Sequence, residues 1–194
     1  YFSNKKLLKN IKTRRKKPYN QQQINKDYEG LIKFYKNNGF IDIKISTPSI
    51  TFNKERTKVT LEFKIKEGKK YLFRNVSFSN NKVIPSQFLI KNLTFKKKDI
   101  FSEEKLQEFI QKIQELYAEK GYIRLEVKPE ISKKENFIDT NFNITEGDIV
   151  YVDGISIEGL TSTKFYVVKR ELIIKEGEIF NAKKVRRSME KIYN

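Results

Sequence analysis

Leu106, Phe109, Ile110, Ile113, Leu116 and Tyr117 recur at helical spacing, and an alternating run, Ile123, Leu125 and Val127, follows closely. Spacings of three and four place the first set on one helix face, and spacings of two place the second on one face of a strand. Past a turn near Lys133-Lys134 the alternation resumes with Ile138, Thr140, Phe142 and Ile144. Upstream, Val76 and Phe78 alternate with polar neighbours and predict a half-buried strand over residues 71–79. Asn80-Asn81 breaks that strand, and Pro85 can open a short helix carrying Phe88, Leu89 and Ile90. Ser102 is a good N-cap for the long helix, with Glu103 and Glu104 in the first turn, where the helix dipole favours acids. Gly121 ends the helix, because the left-handed residue that follows one is cheapest without a Cβ. The order is strand–helix–helix–strand–strand. The predicted fold class is α+β: a two-layer module with helices on one face of a three-stranded mixed sheet.

The pattern is written more than once. Residues 31–40 read LIKFYKNNGF and residues 113–122 read IQELYAEKGY, about 80 residues later. Each copy leads to a Glu-Gly pair, Glu67-Gly68 and Glu146-Gly147. In the first copy Asn20 and Gln23 resemble a capping box, and Ile24, Tyr28, Leu31 and Tyr35 supply the stripe. Ile41, Ile43 and Ile45 alternate next, then Val59, Leu61, Phe63 and Ile65; Leu7 and Leu8 belong to a short helix. A third copy begins with strand residues Ile155 and Ile157 and a short helix at Phe165, Val167, Val168 and Leu172. The predicted domains are an incomplete module over 1–69 without its first strand, a complete one over 70–148, and an incomplete one over 149–194 that stops in its second helix. Such a chain is expected to be a piece of a longer one. The linkers are too short for flexible tethers, and Gly68 and Gly147 are the expected hinges.

Pro48 and Pro129 sit near the end of the second strand in the two copies. Proline cannot donate to a ladder and favours edges and bulges, so that strand is expected at a sheet edge. An edge can accept a further strand, or proline there can simply end it and blunt aggregation; both readings stand. The candidate acceptor residues are Ile41, Ile43, Ile45 and Pro48, with Ile123, Leu125, Val127 and Pro129 in the second copy.

Composition narrows the chemistry. The 194 residues contain no Cys and no His, which removes disulfides, thiolate metal sites and the usual neutral-pH general base. The acids fall where capping and solvation explain them, so no catalytic, cofactor or metal site and no small-molecule substrate are expected. The net charge is +17, and no acid occurs among residues 1–26. Lys12, Arg14, Arg15, Lys16 and Lys17 could contact an anionic surface, or could serve only to solvate the chain. An array of nucleic-acid-binding modules is a rival reading. Lys120-Gly121-Tyr122 begins like one RNA-binding strand motif, but Ile123 and Arg124 depart from it, and no GXXG loop occurs. Nucleic acid is therefore not the expected partner.

The ordered copies resemble tandem POTRA (polypeptide-transport-associated) domains. The likeness rests on Tyr117, Gly121-Tyr122, Thr145-Glu146-Gly147 and residues 155–159, and extends through 168–181, which resemble the last such domain before the barrel in BamA-type outer-membrane assembly proteins. The resemblance implies a periplasmic scaffold that receives unfolded outer-membrane proteins and docks accessory lipoproteins by β-augmentation along residues 40–50 and 122–131. It also implies that the module from Val150 docks an accessory lipoprotein. Another barrel-linked translocation or secretion protein could carry similar modules.

Overall fold

The computed structural model describes residues 1–160 and 164–193. The chain divides into two compact units, and the division runs through the middle module rather than between modules. One unit holds residues 1–75, 95–107 and 132–139; the other holds 76–94, 108–131 and the chain from Thr140 onward. Each module junction therefore lies inside one unit.

In the first module α1 (Asn4–Lys9) and α2 (Gln21–Lys36) precede an irregular antiparallel hairpin. Its strands are β1 (Lys44–Ile45), β2 (Ser49–Phe52), β3 (Val59–Glu62) and β4 (Ile65–Lys66), with Ile45 opposite Ile65 and Ile50 opposite Leu61. The expected single strand over 59–65 is thus two, broken at Phe63-Lys64. The break faces Pro48 in the other arm, where the ladder lacks a donor, and Ser46 N bonding Lys64 O at 3.0 Å carries the arms across it. Ile24, Leu31, Tyr35, Phe40 and Ile45 are buried, and Phe2 and Leu7 pack on that core. Asn20 caps α2 by accepting from Gln23 N at 2.9 Å. The return bond of a capping box is missing, because Gln23 Nε2 donates instead to Asp27 Oδ1 at 2.9 Å.

The middle module adds β5 (Leu72–Ser79), α3 (Ser86–Lys91), α4 (Glu103–Ala118), β6 (Glu126–Lys134) and β7 (Phe137–Thr145). Its sheet runs in the order β5-β7-β6. Side-chain bonds from Ser77 to Asn141 and from Asn80 to Asn143 ascend together, so β5 and β7 are parallel, while β6 and β7 form a hairpin; the sheet is mixed. Ile138, Thr140, Phe142 and Ile144 are buried in strict alternation along β7. Leu106, Phe109, Ile113 and Tyr117 of α4 are buried as their spacing predicts, each contributing about 2 kcal/mol by leaving water. The third module contributes α5 (Phe165–Glu171) and α6 (Ala182–Tyr193).

The repeated Glu-Gly pairs have a structural use that their turn position does not reveal. Tyr35 Oη donates to Glu67 Oε1 at 2.9 Å, and Tyr117 Oη donates to Glu146 Oε1 at 2.8 Å. Burial and the adjacent glutamate raise both tyrosine hydroxyls well above their ordinary range, so both remain donors. Glu146 Oε1 also accepts Val83 N at 2.8 Å, tying the loop before α3 to the end of β7.

The junctions repeat as faithfully. Gly39 O accepts Tyr71 N at 2.8 Å, and Tyr71 O accepts Phe101 N at 3.0 Å. One period on, Gly121 O accepts Val150 N at 2.9 Å, and Val150 O accepts Phe180 N at 2.9 Å. Gly39 (φ 95°) and Gly121 (φ 91°) occupy the left-handed region that a side chain disfavours. The next module also approaches too closely for a Cβ: one on Gly39 would lie 2.9 Å from Tyr71 O, and one on Gly121 2.6 Å from Ile179 Cγ2.

Two strand expectations fail. Ile155 and Ile157 join no strand among the described residues: only Tyr151 bridges, to Ile179, and Ile155 N bonds Glu176 Oε1 instead of a ladder. Ile41, Ile43, Ile123 and Leu125 lie before β1 and β6, not within them. Leaving the helix-ending glycine, the chain first turns, with Ile43 N bonding Phe40 O at 3.2 Å, and becomes extended only afterwards. Alternation alone cannot separate such a turn from the strand it feeds.

Candidate functional site

In the middle module the sequence-predicted acceptor residues fall in two places. Val127 and Pro129 lie in β6, an outer strand of its sheet. Pro129 is inside β6 rather than near its end, since the ladder continues to Lys134 and turns at Glu135-Asn136. Proline is accommodated in an outer strand where its missing N–H faces away from the neighbouring strand. In that phase Val127 and Ile131, two residues to either side, direct their N–H and C=O groups outward as well. Ile123 is 48% exposed but belongs to the turn before β6. In the first module Ile45 is buried in β1 and Pro48 stands in the gap between β1 and β2.

A polar network on the middle sheet holds β6 in register. Asn141 Nδ2 donates to Glu130 Oε2 at 3.0 Å and to Ser79 Oγ at 3.1 Å, while Asn143 Nδ2 reaches Glu130 Oε1 at 3.3 Å. The bonds from Asn141 and Asn143 hold the Glu130 carboxyl below its ordinary range. Arg74 of β5 grips Asp139 of β7 with both arms of its guanidinium and lowers that carboxyl to about 2. No single residue announces this network; it requires knowledge of which strands are neighbours.

The expected hinge glycines both rest against the loop after a long helix. A Cβ on Gly68 would lie 3.1 Å from Asp42 Cβ, and one on Gly147 3.3 Å from Arg124 O.

The basic run divides by role. Lys12, Arg15, Lys16 and Lys17 are exposed. Arg14 is exposed as well, but its guanidinium donates to the carbonyls of Leu8, Ile11 and Thr13. It therefore braces the loop, a role that its place in a basic run does not reveal. Asp27 was missed as well. This buried carboxylate accepts Lys12 N and Thr13 N, each at 2.8 Å, and fixes the loop to α2. Burial alone would raise Asp27, but those N–H groups and Gln23 outweigh it and hold the carboxyl below its ordinary value.

No group of three or more His, Cys, Asp or Glu suited to a metal occurs among the described residues, and no described helix is long and apolar enough to cross a membrane.

Small strand–helix–helix–strand–strand modules, joined end to end through a glycine after each long helix, define a class of tandem two-layer repeat proteins. The POTRA sequence profile, described as surface antigen variable number repeat, matches residues 1–68, 71–147 and 150–194, and the chain belongs to that family. It is 31% identical over 173 residues to the outer membrane protein assembly factor BamA of Buchnera aphidicola, covering 88% of this chain and 28% of the relative. It is 29% identical over 181 residues to BamA of Neisseria meningitidis serogroup B, covering 92% of this chain and 23% of the relative. The chain thus spans about a quarter of the length of these curated relatives. The crystal structure of Haemophilus influenzae BamA POTRA3-5 matches 99% of this chain and 80% of its own, with a TM-score of 0.79 at 20% identity, a likeness of fold.

Proposed function

We propose that this chain is the periplasmic POTRA region of an outer-membrane protein assembly factor, a non-enzymatic scaffold that accepts strands of unfolded β-barrel clients by β-augmentation. Family membership and the assembly-factor relatives support the setting. The observation that carries the mechanism is β6, an outer strand held in register by Glu130, with Val127 and Ile131 flanking Pro129. Backbone pairing tolerates many client sequences, and Pro129 limits the length of any one pairing. On the same reading the module from Val150 docks an accessory lipoprotein, and Gly68 and Gly147 absorb adjustments between modules. The POTRA region of another barrel-linked translocation protein is the nearest alternative, and the same edge would serve it.

An NMR titration of the labelled chain with a peptide from an outer-membrane β-strand tests the mechanism. Shifts should centre on the β6 amides, and Ile131→Pro should weaken binding about tenfold by removing a donor and its neighbouring bond. Circular dichroism checks that the variant is folded. Unchanged binding by a folded Ile131→Pro chain rejects the edge as acceptor.

A further inference from the structure

Two basic loops distant in sequence meet at an exposed aromatic pair in the first module. The rings of Tyr19 and Phe52 are in tilted contact, centroids 6.1 Å apart, and are 45% and 51% exposed. Tyr19 follows the loop that carries Lys12, Arg15, Lys16 and Lys17. Phe52 ends β2 and leads into the turn to β3, which carries Lys54, Arg56 and Lys58, all exposed. Among the described residues none of these cations has a carboxylate within 4.0 Å. Glu55 is the one acid in either loop, and it accepts from Asn53 Nδ2 at 2.6 Å.

Both loops are held in shape before any partner arrives. Asp27 fixes the first through two backbone N–H groups. Asn53 fixes the second: its Oδ1 accepts Lys58 N at 2.7 Å, and its backbone N–H donates to Lys58 O at 3.0 Å. Loop backbones already ordered in this way lose little further freedom on binding.

We propose that this face is a docking surface for an anionic lipid bilayer, with Tyr19 and Phe52 entering the headgroup layer and the two loops contacting lipid phosphates. This rests on the reading of the chain as part of an outer-membrane assembly factor, which places it beside a membrane. Tyrosine suits the membrane–water interface, and juxtamembrane lysines are drawn to anionic headgroups. Nucleic acid, whose bases could stack on the exposed ring faces, is the rival occupant and is an outcome of the test below.

The chain contains no Trp, so Phe52→Trp places a single reporter in the face. The 194-residue chain carrying it is mixed with vesicles of phosphatidylcholine, alone or with about 30 mol% phosphatidylglycerol, in about 0.1 M salt. Anionic vesicles should blue-shift the emission and co-sediment the protein; neutral vesicles should do neither. Each cation near such a surface is worth about fivefold in partition. Replacing Lys12, Arg15, Lys16 and Lys17 together by Gln should therefore weaken binding by up to about 600-fold, and replacing Lys54, Arg56 and Lys58 by up to about a hundredfold. The proposal fails if neutral vesicles bind equally, if either set of Gln substitutions leaves binding unchanged, or if a structured RNA produces the same shift at equal phosphate concentration. Client-peptide shifts on β6 are read in a parallel sample. If they persist while vesicle binding is absent, only the bilayer surface is wrong. If they are absent while vesicle binding persists, only the strand-accepting mechanism is wrong.

Discussion

At the first junction Tyr71 supplies a hydroxyl as well as a backbone, and Asp42 receives it at 2.7 Å while pairing with Lys133. At the second junction the corresponding residues are Val150 and Arg124, and valine has nothing to donate. The helix ends differ in the same sense. At the first, Lys36 pairs with Glu103 at 3.0 Å, and Asn37 Oδ1 caps the next helix by accepting Glu104 N at 2.9 Å. At the second, Ala118 and Ala182 stand in place of the ion pair, and Asn181 Nδ2 reaches back to Glu119 O at 2.6 Å. The backbone closure through Gly39 and Gly121 is common to both. The repeat therefore preserves the geometry of the joint and varies the side chains that stiffen it. Of the two expected hinges, Gly147 flanks the more lightly clamped joint.

The largest expected effects test the shared element. Gly39→Ala places its Cβ 2.9 Å from a backbone carbonyl, which cannot yield without disturbing Tyr71. Gly121→Ala places its Cβ nearest a side-chain methyl of Ile179, which can turn away. Both also carry a side chain at positive φ, so losses of about 3 kcal/mol for Gly39→Ala and about 2 kcal/mol for Gly121→Ala are expected in urea unfolding followed by circular dichroism. The reverse order would mean that the second joint is the tighter one.

The next effect tests the clamp itself. Tyr71→Phe removes one hydrogen bond and should cost about 1 kcal/mol, or about fivefold faster exchange of the Tyr71 amide if that amide exchanges by local opening. In the parent chain that amide should exchange more slowly than that of Val150, and Tyr71→Phe should close much of the gap. Equal protection in the parent would remove the contrast.

The contrast between the joints was partly legible in the sequence and partly not. The α4 stripe, the alternation along β7 and the glycines after each long helix report their structures directly, because one residue's burial or backbone angle decides each. Ile123 and Leu125 misled because a turn preserved their alternation. Ile155 and Ile157 misled because apolar alternation does not supply a partner strand. Glu67, Glu146 and Asp27 were hidden for another reason: each serves a group distant along the chain, and pairing of that kind follows only from the fold. The meeting of Tyr19, before α2, with Phe52, at the end of β2, likewise follows only from the fold.

Acid should separate the joints. Lys133, and then Tyr71, hold the Asp42 carboxyl below its ordinary value of 3.8. A carboxylate lowered in the folded state contributes stability that is complete above its unfolded value and is lost as pH falls through the folded one. The protection of Tyr71 relative to Val150 should therefore be constant from neutral pH down to about 5 and shrink below about 4. The position equivalent to Asp42 at the second joint is Arg124, not a carboxylate, so Val150 supplies the internal reference. Asp42→Asn should flatten the dependence. A shrinkage that persists in Asp42→Asn would assign the acid response elsewhere, with Asp139, lowered to about 2 by Arg74, the next group to replace.

The smallest effect concerns the helix ends. Lys36 and Glu103 are partly exposed, and such a pair is worth about 0.5 kcal/mol at most. Glu103→Gln should barely change Tyr71 protection, and about 0.5 M salt should abolish the difference between Glu103→Gln and the parent. Transplanting the pair into the second joint, as Ala118→Lys with Ala182→Glu, should slow Val150 exchange by no more than about twofold. If the transplant instead raised Val150 to the protection of Tyr71, the stiffness of the first joint would reside in its helix ends, and the tyrosine–aspartate bond would be its lesser part.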